Sequence, residues 1–149
     1  MTGLAALMAG RRPPGIYRWH AAFEVADVKH TVEHAGGRFA HLDGWKTETK
    51  AEFLTAIGEA LEFPDYYHHN FDALLDCLRD VGSYPDDPDS EAGAVLLWDG
   101  WGPFARADER AFSVALSVLS QRIDEHEAGR FSVLMRGEGP ELDDVPSLD

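Results

Sequence analysis

Five apolar residues run without interruption at 94–98 (AVLLW), between a stretch rich in Pro, Asp and Gly (YPDDPDSEAG) and a turn (DGWGP). A strand with one wet face alternates apolar and polar side chains. An unbroken apolar run suits a strand buried on both faces, as inside a parallel sheet covered by helices. Such a strand needs parallel neighbours, and the chain offers them. RFAHLDG predicts a strand near 38–42 ending in a turn, RFSVLM one near 130–135, and GIYRW a short fourth at 15–19.

The segments between these strands carry helical spacing. Val25, Val28, Val32 and Ala35 repeat at three- and four-residue intervals until Gly36 and Gly37 stop them. Thr47 or Thr49 can cap a helix whose apolar face is Phe53, Leu54, Ile57 and Leu61. Pro64 ends that helix or its trailing loop, and Asn70 is placed to cap another over 71–81. The longest spans about 109–127, with Phe112, Ala115, Leu116, Leu119 and Ile123 inward and Gly129 as its stop. Strands alternating with helices predict an α/β fold: a small parallel sheet of three strands, or four with 15–19, packed by helices in two or three layers.

A chain of 149 residues, 44% apolar, is long enough for one sizeable core and short for two. We expect a flexible arm at 1–14, a single domain at 15–136, and a disordered acidic tail at 137–149. The basic pair of MTGLAALMAGRRPPG follows its apolar run, the reverse of a secretory signal. No segment approaches the roughly 18 apolar residues of a membrane span. Cys77, the single thiol, has no internal partner, which predicts a cytoplasmic protein.

The net charge is −14, from 13 basic and 27 acidic residues. That balance disfavours direct nucleic-acid binding, which depends on clustered Lys and Arg, and favours a basic partner. Residues 61–91 hold nine acidic side chains and one basic, Arg79. On a helical wheel Phe71, Leu74, Cys77, Leu78 and Val81 share one side, with Leu75 at its edge; Asp72, Asp76 and Asp80 share the other. Like charges at i and i+4 disfavour a helix by a few tenths of a kcal/mol per pair. A solvated face and a binding surface both account for tolerating that cost. The upstream PDYYHHN adds two Tyr and two His, rigid contact area of the kind favoured at interfaces.

These residues resemble a known family. FPDYYHHNFDALLDCLRD (63–80) is similar to the signature of the barstar family of intracellular ribonuclease inhibitors: Pro, an acidic residue, a Tyr pair, Asn, then Asp-Ala-Leu and a second Asp four residues after the first. The resemblance extends more weakly over roughly 37–136. It implies a barstar-like α/β fold without catalysis or cofactor. It also implies one-to-one binding of a basic, secreted ribonuclease, whose active site is plugged by an acidic helix in place of RNA phosphates.

Carried over, Tyr66 is an aromatic contact from the loop, Asp72 and Asp76 pair with cationic catalytic groups, and Asp124 is a further acidic contact. His68, His69, Asn70, Leu75, Arg79 and Asp80 complete the expected partner surface. Leu75 stands where the best-known member has Trp, and Arg79, Asp80 and Val81 where it has Thr-Gly-Trp.

Two competing readings stay open. His68, His69, Asp72 and Asp76 suggest a divalent-ion site, as in a small metal-dependent hydrolase; alternatively, the domain regulates a partner that is not a nuclease. HTVEH (30–34) fits a zinc-peptidase pattern, but His30 and His34 lie opposite the Val28/Val32 stripe and should face water. Cys77 lies on the apolar face, as a buried structural thiol would. Trp98 is expected in the core, Trp101 is left open, and WDGWGPFARADE, which contains the turn DGWGP, suggests a lid or recognition loop.

Overall fold

The computed structural model describes residues 2–81 and 92–148; most of the loop expected over 84–93 lies outside them. Four strands form one sheet: β1 (Ile16–Arg18), β2 (Arg38–Asp43), β3 (Ala94–Asp99) and β4 (Phe131–Arg136). Their order is β1-β4-β3-β2 and every pairing is parallel, with Leu96 of β3 between Ala40 of β2 and Val133 of β4. All six residues of β3 are buried, as its unbroken apolar run requires of a strand with neighbours on both sides and helices on both faces.

The helices are α1 (Thr2–Met8), α2 (Val25–His34), α3 (Lys50–Ala60), α4 (Phe71–Leu78), α5 (Gly102–Ala107) and α6 (Glu109–Asp124), with a 3-10 turn at His126–Ala128. Alternate residues of β3 sort them into layers. Ala94, Leu96 and Trp98 join one core with Phe53, Leu74, Phe104, Phe112 and Leu119, so α3 to α6 cover that face. Val95 and Leu97 point the other way, against Leu4 and Leu7 of α1, Trp19 just after β1, and Val28 and Val32 of α2. The architecture is three layers, helix–sheet–helix.

Both chain ends differ from expectation. The supposed loose arm contains α1, whose Leu4 and Leu7 are fully buried; burying one Leu contributes about 1.5–3 kcal/mol, enough to hold a short helix of modest propensity. The acidic tail folds back on the sheet. Ser147 bridges to Arg18, Leu148 is buried, and Arg12 donates to the Leu148 carbonyl at 3.1 Å. This covers the outer edge of β1, which would otherwise present unpaired backbone groups. A third difference is α5, whose residues were assigned to a turn. Pro103 stands at its start, where a missing N–H costs nothing, and both Trp98 and Trp101 are fully buried.

Candidate functional site

Helix α4 begins as its sequence dictates. The Asn70 side chain accepts a hydrogen bond from the Ala73 N–H at 2.8 Å, satisfying one orphan donor of the first turn. Leu74, Cys77 and Leu78 are buried, Phe71 and Leu75 partly so, and Asp72, Asp76 and Asp80 are exposed. Burial pushes the Cys77 thiol pKa up, and Asp80 and Asp76 add to the shift, as for an inert core thiol. The helix is shorter than its predicted span: Arg79 is its C-cap, while Asp80 and Val81 lie just beyond.

The tyrosine pair divides. Tyr67 packs edge-on against Phe63 and donates its hydroxyl to the Leu54 carbonyl of α3 at 3.0 Å. Burial, with a smaller contribution from Cys77, pushes the Tyr67 hydroxyl up to about 12. Its ring lies where only a glycine leaves room: a Cβ at Gly58 would sit 2.7 Å from it. Tyr66 is 66% exposed. One tyrosine thus anchors the loop to α3 and turns the other outward.

His68 and His69 are exposed, and the His69 ring packs at a tilt against Tyr67, with centroids 5.0 Å apart. His30 and His34 are exposed on α2 with rings 5.8 Å apart. Among the described residues, no three His, Cys, Asp or Glu side chains are grouped so as to hold a metal ion. His68, His69, Asp72 and Asp76, weighed above as a competing divalent-ion site, form no such group.

Two arginines join α4 to the end of α6. Arg122 is fully buried and donates to four backbone carbonyls: Leu78 at 2.7 Å, Val81 at 2.5 Å, and Gly129 and Ala128 at 3.0 Å each. It caps the last turn of α4 and ties down the turn after α6. A cation at a helix C-terminus is favourable there. Burial lowers its pKa, partly opposed by nearby Glu125, and its guanidinium lies over the Phe131 ring, 5.3 Å from the centroid.

Arg79 forms the outer link. Its Nε and Nη2 fork onto the Glu125 carboxylate at 2.9 Å each, and Nη1 reaches Asp76 Oδ1 at 3.0 Å. The Arg79 hydrogen bond holds the Glu125 carboxyl below its usual range. Asp124, the last residue of α6, is exposed, and it lines one groove with Arg79, Glu125 and His126. The acidic end of α6 and the acidic face of α4 thus meet at Arg79.

Arg122 and Glu125 were not singled out in the sequence. For Arg122 the signal was present: Leu119, Arg122 and Ile123 continue the inward stripe of α6, so an arginine falls among core positions. Nothing local marks Glu125, whose partner is 46 residues away.

A second polar cluster lies at the carboxyl ends of the strands. Arg136 forks onto Asp99 at 2.6 and 3.0 Å, His41 lies 2.9 Å from the same carboxylate, and Arg136 also donates to the Ala21 and Phe23 carbonyls. Burial raises the Asp99 pKa, but the bonds from Arg136 and His41 outweigh it and hold the carboxyl low. These bonds tie the β1–α2 connection to the sheet.

No helix among the described residues is long and apolar enough to cross a membrane. No curated protein matches the sequence. The family model described as Barstar (barnase inhibitor) matches residues 37–136. That stretch begins just before β2, ends with β4, and contains the tyrosine loop, α4, both arginines and the acidic end of α6, while α1, β1 and α2 lie outside it. With well over half of its length matched, and with the loop and acidic helix inside the match, the chain belongs to the barstar family.

Proposed function

We propose that this chain is a cytoplasmic inhibitor or immunity protein that binds a basic, secreted ribonuclease one-to-one and blocks its active site with α4 and the loop before it. The observation that carries this reading is the division of α4: Asp72 and Asp76 exposed on one side, with Asp80 exposed just past its end, while Leu74, Cys77 and Leu78 anchor the other side in the core. Asp72 and Asp76 lie one turn apart, about 6 Å along the axis, a row of anions presented by a rigid element. An enzyme that grips RNA phosphates with Arg, Lys and His meets carboxylates in their place, and charge-assisted hydrogen bonds form without a scissile bond.

Tyr66 supplies an aromatic contact at low entropic cost, and Asp124 extends the acidic surface. His68, His69, Asn70, Leu75, Arg79 and Asp80 surround these contacts. No turnover or cofactor enters the mechanism; inhibition is occlusion. Among the alternatives, the hydrolase loses its support because its ligand cluster is not assembled, and a partner other than a nuclease becomes an outcome of the test.

The test is a titration of barnase and other small basic ribonucleases with the purified chain. Stoichiometric inhibition should appear, with association slowing as salt rises and Asp76→Ala chiefly accelerating dissociation. The double change Asp72→Asn/Asp76→Asn should abolish inhibition while thermal stability holds. Inhibition that survives the double change, or association that ignores ionic strength, would exclude phosphate mimicry.

A further inference from the structure

Among the described residues, Asp76 is the one aspartate of this acidic face with a cationic partner in its own chain, and that partner is itself held. Arg79 makes a two-point fork to Glu125, the C-cap of α6, and donates Nη1 to Asp76 Oδ1. A carboxylate accepts about four hydrogen bonds. One bond to Oδ1 therefore restricts the rotation of the Asp76 side chain while leaving most of its acceptor capacity, including Oδ2, for an incoming cation. The Asp76 side chain is 74% exposed despite this bond. Because the other end of the guanidinium is fixed on Glu125, next to Asp124, the same residue sets the α4 carboxylate relative to the acidic end of α6.

We propose that Arg79 is a positioning residue of the inhibitory surface: it fixes the Asp76 carboxylate for its partner's cation and registers it with Asp124, prolonging the complex at the expense of association rate. The inference rests on the function proposed above. Its cost follows from charge. A cation amid the acidic face weakens the field that draws in a basic ribonuclease, whereas a carboxylate already oriented loses less freedom on binding. The fork also explains why the residue is Arg: Lys carries the charge but cannot make the two parallel bonds to Glu125.

The experiment compares Arg79→Lys and Arg79→Gln with the unaltered chain, using barnase as the probe in stopped-flow and surface-binding kinetics at low and high salt. Arg79→Lys should associate at the unaltered rate and dissociate roughly tenfold faster. Arg79→Gln should dissociate faster to a similar degree, yet associate about twofold to threefold faster at low salt only. In an Asp76→Ala background the dissociation effect of Arg79→Lys should vanish, an outcome that a merely structural arginine would not produce. Dissociation that is unchanged or slower in both variants, or an effect that persists without Asp76, overturns the inference and leaves the inhibitor reading intact. An unaltered chain that leaves barnase and every other basic ribonuclease tested uninhibited removes that reading, and this inference with it.

Discussion

The two arginines between α4 and the end of α6 do the same geometric task with opposite materials. Arg122 is fully buried and bonds only to backbone carbonyls among its described hydrogen bonds; Arg79 is partly exposed and bonds to carboxylates. Carbonyls neither titrate nor move away, and removing their donor strands them away from water. Carboxylates at the surface regain water at little cost. The comparison teaches where recognition can be built cheaply: the inner junction holds the helix, which leaves the outer one free to be tuned for a partner.

Replacing the inner arginine should therefore have the largest effect. Arg122→Met keeps apolar volume but strands buried carbonyls, and should cost about 3 kcal/mol or more, roughly a 10 °C fall in Tm for a chain this size. Arg79→Gln should leave Tm nearly unchanged in the same melts. Equal losses at the two positions would break the distinction.

Next in size is the helix start. Asn70→Ala removes the cap of α4 and should cost about 1 kcal/mol, measured by urea denaturation. No loss would mean that the arginine junctions alone fix the helix.

The acidic face should matter least to the fold. Asp72→Asn/Asp76→Asn relieves like-charge repulsion but gives up one surface pair and a favourable charge near the helix start, so stability should stay within about 0.5 kcal/mol. A larger loss would make these aspartates structural.

The last test is pH. Arg79 depresses the Glu125 carboxyl, so the outer junction contributes above the ordinary glutamate value of about 4.3 and is lost as pH falls through the lower folded value. Acidification should remove the protection of the Arg79 Nε–H, measured as its NMR exchange rate relative to a free guanidinium at the same pH, while the Arg122 Nε–H stays protected. Simultaneous release of both would show that the inner junction depends on the outer.

What the sequence revealed followed from local chemistry. The run at 94–98 announced a doubly buried strand, Asn70 its capped helix, and the i, i+4 aspartates their exposed face, because each signal lies within one element. Thr49 likewise forms the expected cap, in a box with Glu52. What stayed hidden needed partners distant in sequence. Leu4 and Leu7 read as part of an arm because nothing nearby reveals the sheet face that buries them. Leu148 read as tail for the same reason. The sequence of α5, opening with Gly102 and Pro103, resembles a turn and becomes helix through the burial of Phe104 and Ala105. Arg79 stood out as the one basic residue of 61–91; the partner that accounts for it, Glu125 at the end of α6, is brought to it only by the fold.

One feature of the sheet bears on how the molecule is made. Strand β1 pairs only with β4 within the sheet, Ile16 beside Val133 and Arg18 beside Met135, and its outer edge is completed by Ser147. On a ribosome the first strand must wait for the last, and contacts of such sequence separation form late because the loop between them must close first. The acidic helix thus emerges before either α6, with the Arg122 that caps it, or β4 has been synthesised. A nascent chain carries its aspartates before it has the residues that hold them in place, so a fixed acidic face belongs to the finished chain.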